Sequence, residues 1–171
     1  MADERKLPIS AKHREFSIKV HGRAVPREHQ LSAVRVIKRV NRIASARLVY
    51  LDGAPSSGKF PLSSADLFAP GAEVEILAGG PDDTKPLFRG LVTGHSLRIR
   101  AESASLLTIE CRHTAVKLSV GARSACFLDL SDKELIERLI ASAGLSGDVA
   151  DTGAHHAHLR APLDAQRRGH A

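Results

Sequence analysis

The chain has 171 residues, enough for one domain or for one domain with appendages. With 43% hydrophobic and 26% charged residues it is globular in composition, which excludes a disordered chain, and two cysteines exclude a disulfide framework. Its charge of +6 is concentrated at the front, where residues 1–50 hold twelve Lys/Arg against four Asp/Glu. A basic segment of this kind attracts anionic partners. No apolar stretch approaches the ~20 residues of a membrane span. The opening Met-Ala-Asp-Glu-Arg-Lys lacks the apolar core of a secretory signal peptide.

Residues 1–14 are basic, carry no apolar period and are expected to be flexible. From there to residue 120, alternation with period two dominates. Phe16, Ile18 and Val20 share a face, and His21-Gly22 reads as a hairpin turn returning into Arg23-Ala-Val25. Val34, Val36 and Val40 form the next apolar face, with Arg35 and Arg39 opposite. Ala46, Leu48 and Tyr50 repeat the pattern before the turn signal Asp52-Gly53. Val74-Glu-Ile76-Leu-Ala78 is bracketed by Pro70-Gly71 and Gly79-Gly80-Pro81. Between Leu87 and Arg100 the apolar parity changes from Val92 to Leu97, which predicts a bulge near Gly94. Leu107, Ile109 and Cys111 give a last inward face. Short strands without intervening helices predict a mainly β, antiparallel barrel or sandwich over residues 15–120.

One helix is legible. Ser131-Asp-Lys-Glu134 is a capping box, Leu130 and Leu135 stand at staple positions, and Gly144 closes an apolar stripe of Leu135, Ile136, Leu139, Ile140 and Ala143. Residues 121–150 are therefore expected to be a helix-containing linker. Residues 151–171 have few large apolar side chains and no period, and are expected to form a disordered tail.

Catalytic and ligand-binding patterns are weak. Gly53-Ala-Pro-Ser-Ser-Gly58-Lys59 matches the start of a phosphate-binding loop, but Phe60 stands where the hydroxyl that binds magnesium belongs, and Pro61 opens no helix. It reads as a surface loop. His155-His156-Ala-His158 has enough imidazoles for a metal, but sits in the unpatterned tail, and His95 and His113 stand alone. Glu73 and Glu75 share one solvated strand face, and no Gly-x-Ser-x-Gly is present. The expectation is no enzyme, no cofactor and no metal. Cys111 and Cys126 lie in apolar runs and are expected to be buried free thiols of a reducing cytosol.

Several strings carry a resemblance. They are Phe16-Ser-Ile-Lys-Val-His-Gly-Arg-Ala-Val-Pro26, Val40-Asn-Arg-Ile-Ala-Ser-Ala-Arg-Leu-Val-Tyr-Leu-Asp-Gly53 and Phe60-Pro-Leu-Ser-Ser-Ala-Asp-Leu-Phe-Ala-Pro-Gly71. Phe88-Arg-Gly-Leu-Val, Leu106-Leu-Thr-Ile-Glu-Cys-Arg112, Ala115-Val-Lys-Leu-Ser-Val-Gly121 and the Ser131–Leu145 helix follow in order. Together, from Phe16 to Val149, they resemble the N-terminal hub region of VgrG, the Rhs-element Vgr family of type VI secretion spikes, itself similar to the bacteriophage tail hub.

The resemblance implies a β-barrel-like hub, a homotrimer in full-length members, and a seat on a hexameric tube protein (Hcp-like) and baseplate. It implies assembly in the cytoplasm and export by the type VI apparatus. After Asp151 the family's Trp-Asp-Phe stretch is replaced by Arg160-Ala-Pro-Leu-Asp-Ala-Gln-Arg-Arg168. On this reading the chain is a hub fragment facing an absent second hub domain: a short gene, a frameshifted remnant without function, or a piece of a longer chain. The basic strand residues Arg35, Lys38, Arg39, Arg42 and Arg47 are the candidate interface. The alternative is a nucleic-acid-binding barrel of OB type, against which the 4% aromatic content and the absence of Trp count.

Overall fold

A computed structural model describes residues 15–53, 58–80, 83–100, 103–120 and 123–163. The expectation for residues 1–14 lies outside them. The chain divides between His113 and Thr114 into two units.

The first unit is one antiparallel sheet of seven strands: β1 (Glu15–Val20), β2 (Arg23–Ala24), β3 (Leu31–Arg39), β4 (Arg42–Leu51), β5 (Glu73–Gly80), β6 (Asp83–Arg98) and β7 (Leu106–His113). Their order is β2-β1-β5-β6-β7-β4-β3, leaving β2 and β3 at the edges. Alternation along each strand sends Ile18, Val20, Leu48, Tyr50, Val74, Ile76, Leu107, Ile109 and Cys111 to one face, where all are buried in one cluster. Leu62, Phe68 and Ala72, from the segment between β4 and β5, are buried in the same cluster and help to cover this face. Each fully buried Leu or Ile there contributes roughly 1.5–3 kcal/mol.

The local signals act as read. His21 and Gly22 both have positive φ, at 49° and 77°, and make the two-residue β1–β2 turn. The β6–β7 ladder shifts register between Val92 and Gly94, so that Val92 and Leu97 both reach the inner side. One expectation needs correcting. Val40 does not join Val34 and Val36 on the inner face: it sits in the β3–β4 turn and is 90% exposed. Its neighbour Asn41 takes φ 56° to close that turn.

The second unit holds a 3-10 turn at Thr114–Ser119, β8 (Arg123–Ser131), α1 (Asp132–Ser142) and β9 (His155–Leu163). The capping box is complete: Ser131 Oγ accepts from the Glu134 amide and the Glu134 carboxylate accepts from the Ser131 amide. At the other end Gly144 takes φ 67°, and the amides of Gly144 and Leu145 donate to Ala141 and Ile140.

β8 and β9 form an antiparallel ribbon from Arg123↔Leu163 to Ser131↔His155. The expected loss of order from Asp151 is thereby corrected for His155–Leu163; residues 164–171 lie outside the described part. The ribbon is held by ladder hydrogen bonds and by Asp132, which accepts from Thr152 at 3.0 Å and bonds His156 at 2.7 Å. None of these depends on apolar periodicity. Among the described residues, no helix is long and apolar enough to cross a membrane.

Candidate functional site

The predicted interface residues converge on one hairpin. Arg35 on β3 stands opposite Arg47 on β4, and Arg39 stands opposite Arg42. Like charges directly opposed across a ladder destabilise it, so this arrangement carries an electrostatic cost. One neighbour relieves part of it. Arg47 is paired in register with Glu110 of β7, and its guanidinium donates to Glu110 Oε1 at 2.8 Å. Among the described residues, Arg35, Lys38, Arg39 and Arg42 form no ion pair.

The hairpin also outreaches the sheet. β4 begins at Arg42, whereas its ladder with β7 begins only at Ser45. The projecting end therefore carries Lys38, Arg39 and Arg42 around the exposed Val40. Lys38, Arg39 and Arg42 are all exposed, so this end presents a cluster of positive charge to solvent.

Other candidates separate. Phe60–Ser64 is a turn closed by the Ser64 amide on the Phe60 carbonyl, not the first turn of a helix, so Gly53–Lys59 leads to no helix N-terminus that would hold a phosphate. Asp52 organises that turn. Its buried carboxylate accepts from the amides of Leu62 at 2.9 Å and Ser63 at 2.8 Å.

The tail histidines are held apart by different carboxylates: His156 bonds Asp132, while His155 lies 3.7 Å from Asp129. His95 Nδ1 is 3.3 Å from the Phe68 carbonyl oxygen, and His113 pairs in register with Gly90. Among the described residues no cluster of His, Cys, Asp and Glu has the arrangement of a metal site. Glu75 holds Arg89 at 2.8 Å, as suits a solvated strand face.

Of the two cysteines expected to be buried, only Cys111 is. Burial, and then the charge of Glu110, pushes its thiol up to about 12, whereas Cys126 is exposed on the ribbon. Burial also raises the Tyr50 hydroxyl, whose ring packs on Phe68 with centroids 5.5 Å apart.

A comparison with protein families returns the model of the Alg8 N-terminal domain over residues 10–161. The chain belongs to the Alg8 N-terminal domain family. The matching model is that family's and not VgrG's, and it extends into β9. Among solved structures, the chain is similar to the 43 kDa tail protein of prophage MuSo2 from Shewanella oneidensis. The two share 11% identity at a TM-score of 0.57, over 86% of this chain and 43% of that one. It is also similar to a tail protein from Neisseria meningitidis MC58, with 13% identity and a TM-score of 0.51, over 75% of this chain and 34% of that one.

The fold is thus that of phage tail proteins: mainly β, antiparallel, with one helix. The chain spans less than half the length of these tail proteins. No curated protein sequence matches it.

Sequence reasoning placed the arginines of this domain but missed Glu110 and Asp52. Glu110 gives no local signal, because its role depends on which strand lies beside β4. Asp52 was legible only as part of a turn.

Proposed function

We propose that the chain is a structural assembly module without enzymatic activity. It serves as the first barrel of a tail hub or spike of the VgrG kind. The observation that carries this reading is the fold, since 86% and 75% of the chain follow two phage tail proteins. The ordered VgrG-like strings from Phe16 to Val149 support the same role. Its partners are then a hexameric tube protein (Hcp-like), a baseplate and, in the complete assembly, two further copies of the chain. The module assembles in the cytoplasm and leaves through the type VI apparatus.

The projecting β3–β4 hairpin is the contact element in this reading. Its opposed arginines also hinder close packing of identical copies, so the isolated chain is monomeric at micromolar concentration. Binding of the tube protein weakens as salt rises, because exposed charges are screened over about 8–10 Å near physiological ionic strength. Reversing Arg35 and Arg39 to Glu abolishes it while the barrel stays folded.

Sedimentation of the chain with and without the assembled tube protein, at two salt concentrations, tests this. A stable trimer of the isolated chain would remove the oligomer claim. Salt-dependent binding to single-stranded DNA, with none to the tube, would replace the tail reading by a nucleic-acid-binding barrel.

A further inference from the structure

β3 is an edge strand. On one side it pairs with β4, and among the described residues no strand pairs with the other, so alternate N–H and C=O groups from Leu31 to Arg39 face outward. Register shifts at Leu31/Ala33 and Ile37/Arg39 bound an uninterrupted ladder from Ala33 to Ile37. Along this stretch Val34 and Val36 are half-buried against the core cluster, whereas the opposite face carries exposed Arg35 between Ala33 and Ile37, with Arg39 following at the same parity.

Where β3 begins, a cavity of about 440 Å³ opens between the two sheet edges. Phe16 of β1, Val25, Leu31 of β3 and Tyr50 of β4 line it. Phe16 is 46% exposed there, although Ile18 and Val20 on the same face are buried.

We propose that β3 accepts an additional strand from another protein, and that the incoming segment is extended, with Asp or Glu alternating with apolar residues. The backbone supplies the hydrogen bonds, and the alternation supplies the choice of partner. An added strand lies about 4.8 Å from β3 and repeats its pleat. Its inward side chains extend the Val34–Val36 face and, at the Leu31 end, meet the cavity, whose wall carries Arg27 and His29 beside Val25 and Leu31. Its outward side chains stand beside Arg35 and Arg39, which have no ion pair of their own among the described residues.

The same charges exclude a second copy as occupant. Antiparallel pairing of two β3 strands sets Arg35, Lys38 and Arg39 against another basic strand, in a sheet that already opposes Arg35 to Arg47. Lysine and arginine on an edge keep identical chains apart. Here they also admit an acidic strand. The proposal goes beyond the tail-hub reading and can fail separately from it, because its test contains no tail component.

The probe is a fluorescein-labelled synthetic peptide as long as β3, with Glu alternating with Val, measured by anisotropy against the full chain. Three controls accompany it: Lys in place of Glu, the Glu peptide with a central proline, and single-stranded oligothymidylate. The Glu peptide binds, and loses about tenfold in affinity between about 50 and about 300 mM salt. The lysine and proline peptides each bind at least about tenfold more weakly. Hydrogen exchange with the Glu peptide bound slows over Leu31–Arg39 and not over β1 or β5. The R35E/R39E variant, its fold verified by circular dichroism, reverses the preference and takes the lysine peptide.

Failure of the Glu peptide to bind would overturn the proposal. Equal binding of the proline peptide would also overturn it, because attraction would then need no strand pairing. Protection elsewhere would move the site away from β3, and equal binding of oligothymidylate would reduce it to a general anion surface.

Discussion

The Asp52 carboxylate accepts the amide of Leu62 at 2.9 Å from within the core, where Asp52 is only 1% exposed. Its second oxygen takes the amide of Ser63, so one side chain just past β4 holds two consecutive amides of the turn that follows the Gly53–Lys59 segment. Buried charges persist only where such partners satisfy them.

Asp52→Asn keeps the size of the side chain but turns an NH2 toward one of these amides. It should destabilise the first unit by about 2–3 kcal/mol, the usual loss for a hydrogen bond to a charged group. Urea denaturation followed by circular dichroism measures this. A midpoint equal to that of the unaltered chain would show that the turn does not need the carboxylate.

Gly90 lies where β6 passes close to β7. A Cβ there would stand 2.2 Å from the Arg112 carbonyl oxygen and 2.7 Å from the Phe88 ring. Backbone cannot move aside as a flexible side chain can, so Gly90→Ala should lower stability by about 1–3 kcal/mol, the range of overpacking. Thermal unfolding is the check, with Gly94→Ala as the control, since a Cβ at Gly94 meets nothing within 4 Å.

The start of α1 should loosen in acid. The Ser131 amide and then its hydroxyl hold Glu134 below its ordinary value of 4.5, and His156 and then Thr152 hold Asp132 below 3.8. Because these values are lowered by folding, the stabilisation is complete above the ordinary carboxylate range. It disappears as pH falls through the folded-state values. Hydrogen exchange over Asp132–Ser142 should therefore accelerate below about pH 4 and stay constant from about pH 5 to 6 once corrected for intrinsic rates. Ser131→Ala should independently cost about 1 kcal/mol of helix stability by removing the cap.

The two thiols should differ sharply. In the folded chain at pH 8, a disulfide reagent should modify Cys126 within minutes and leave Cys111 untouched, since Cys111 is buried and its thiol is pushed up to about 12. Denaturant should release the second thiol. Rapid modification of both in the folded state would show that β7 opens readily.

Much of this fold was written locally. The alternation of Ile18 with Val20, of Leu48 with Tyr50 and of Ile109 with Cys111 specified which side of each strand turns inward, because side chains alternate with a period of two. The parity change before Leu97 announced the bulge, and Ser131 with Glu134 announced the helix start, because both signals act within a few residues. The basic run that became the β3–β4 hairpin was equally visible.

Tertiary structure alone decided the neighbours. β1 pairs with β5 and β4 with β7 across long separations, and no residue pattern in either partner names the other. That pairing set Glu110 beside Arg47 and, among the described residues, left β3 at the edge of the sheet. β9 escaped the sequence for a related reason. His155–Leu163 lacks an apolar face to announce it, and its order comes from backbone bonds to β8 and from polar contacts with Asp132. Periodicity reports which face of a strand is buried, whereas hydrogen bonding between distant segments selects the strand beside it.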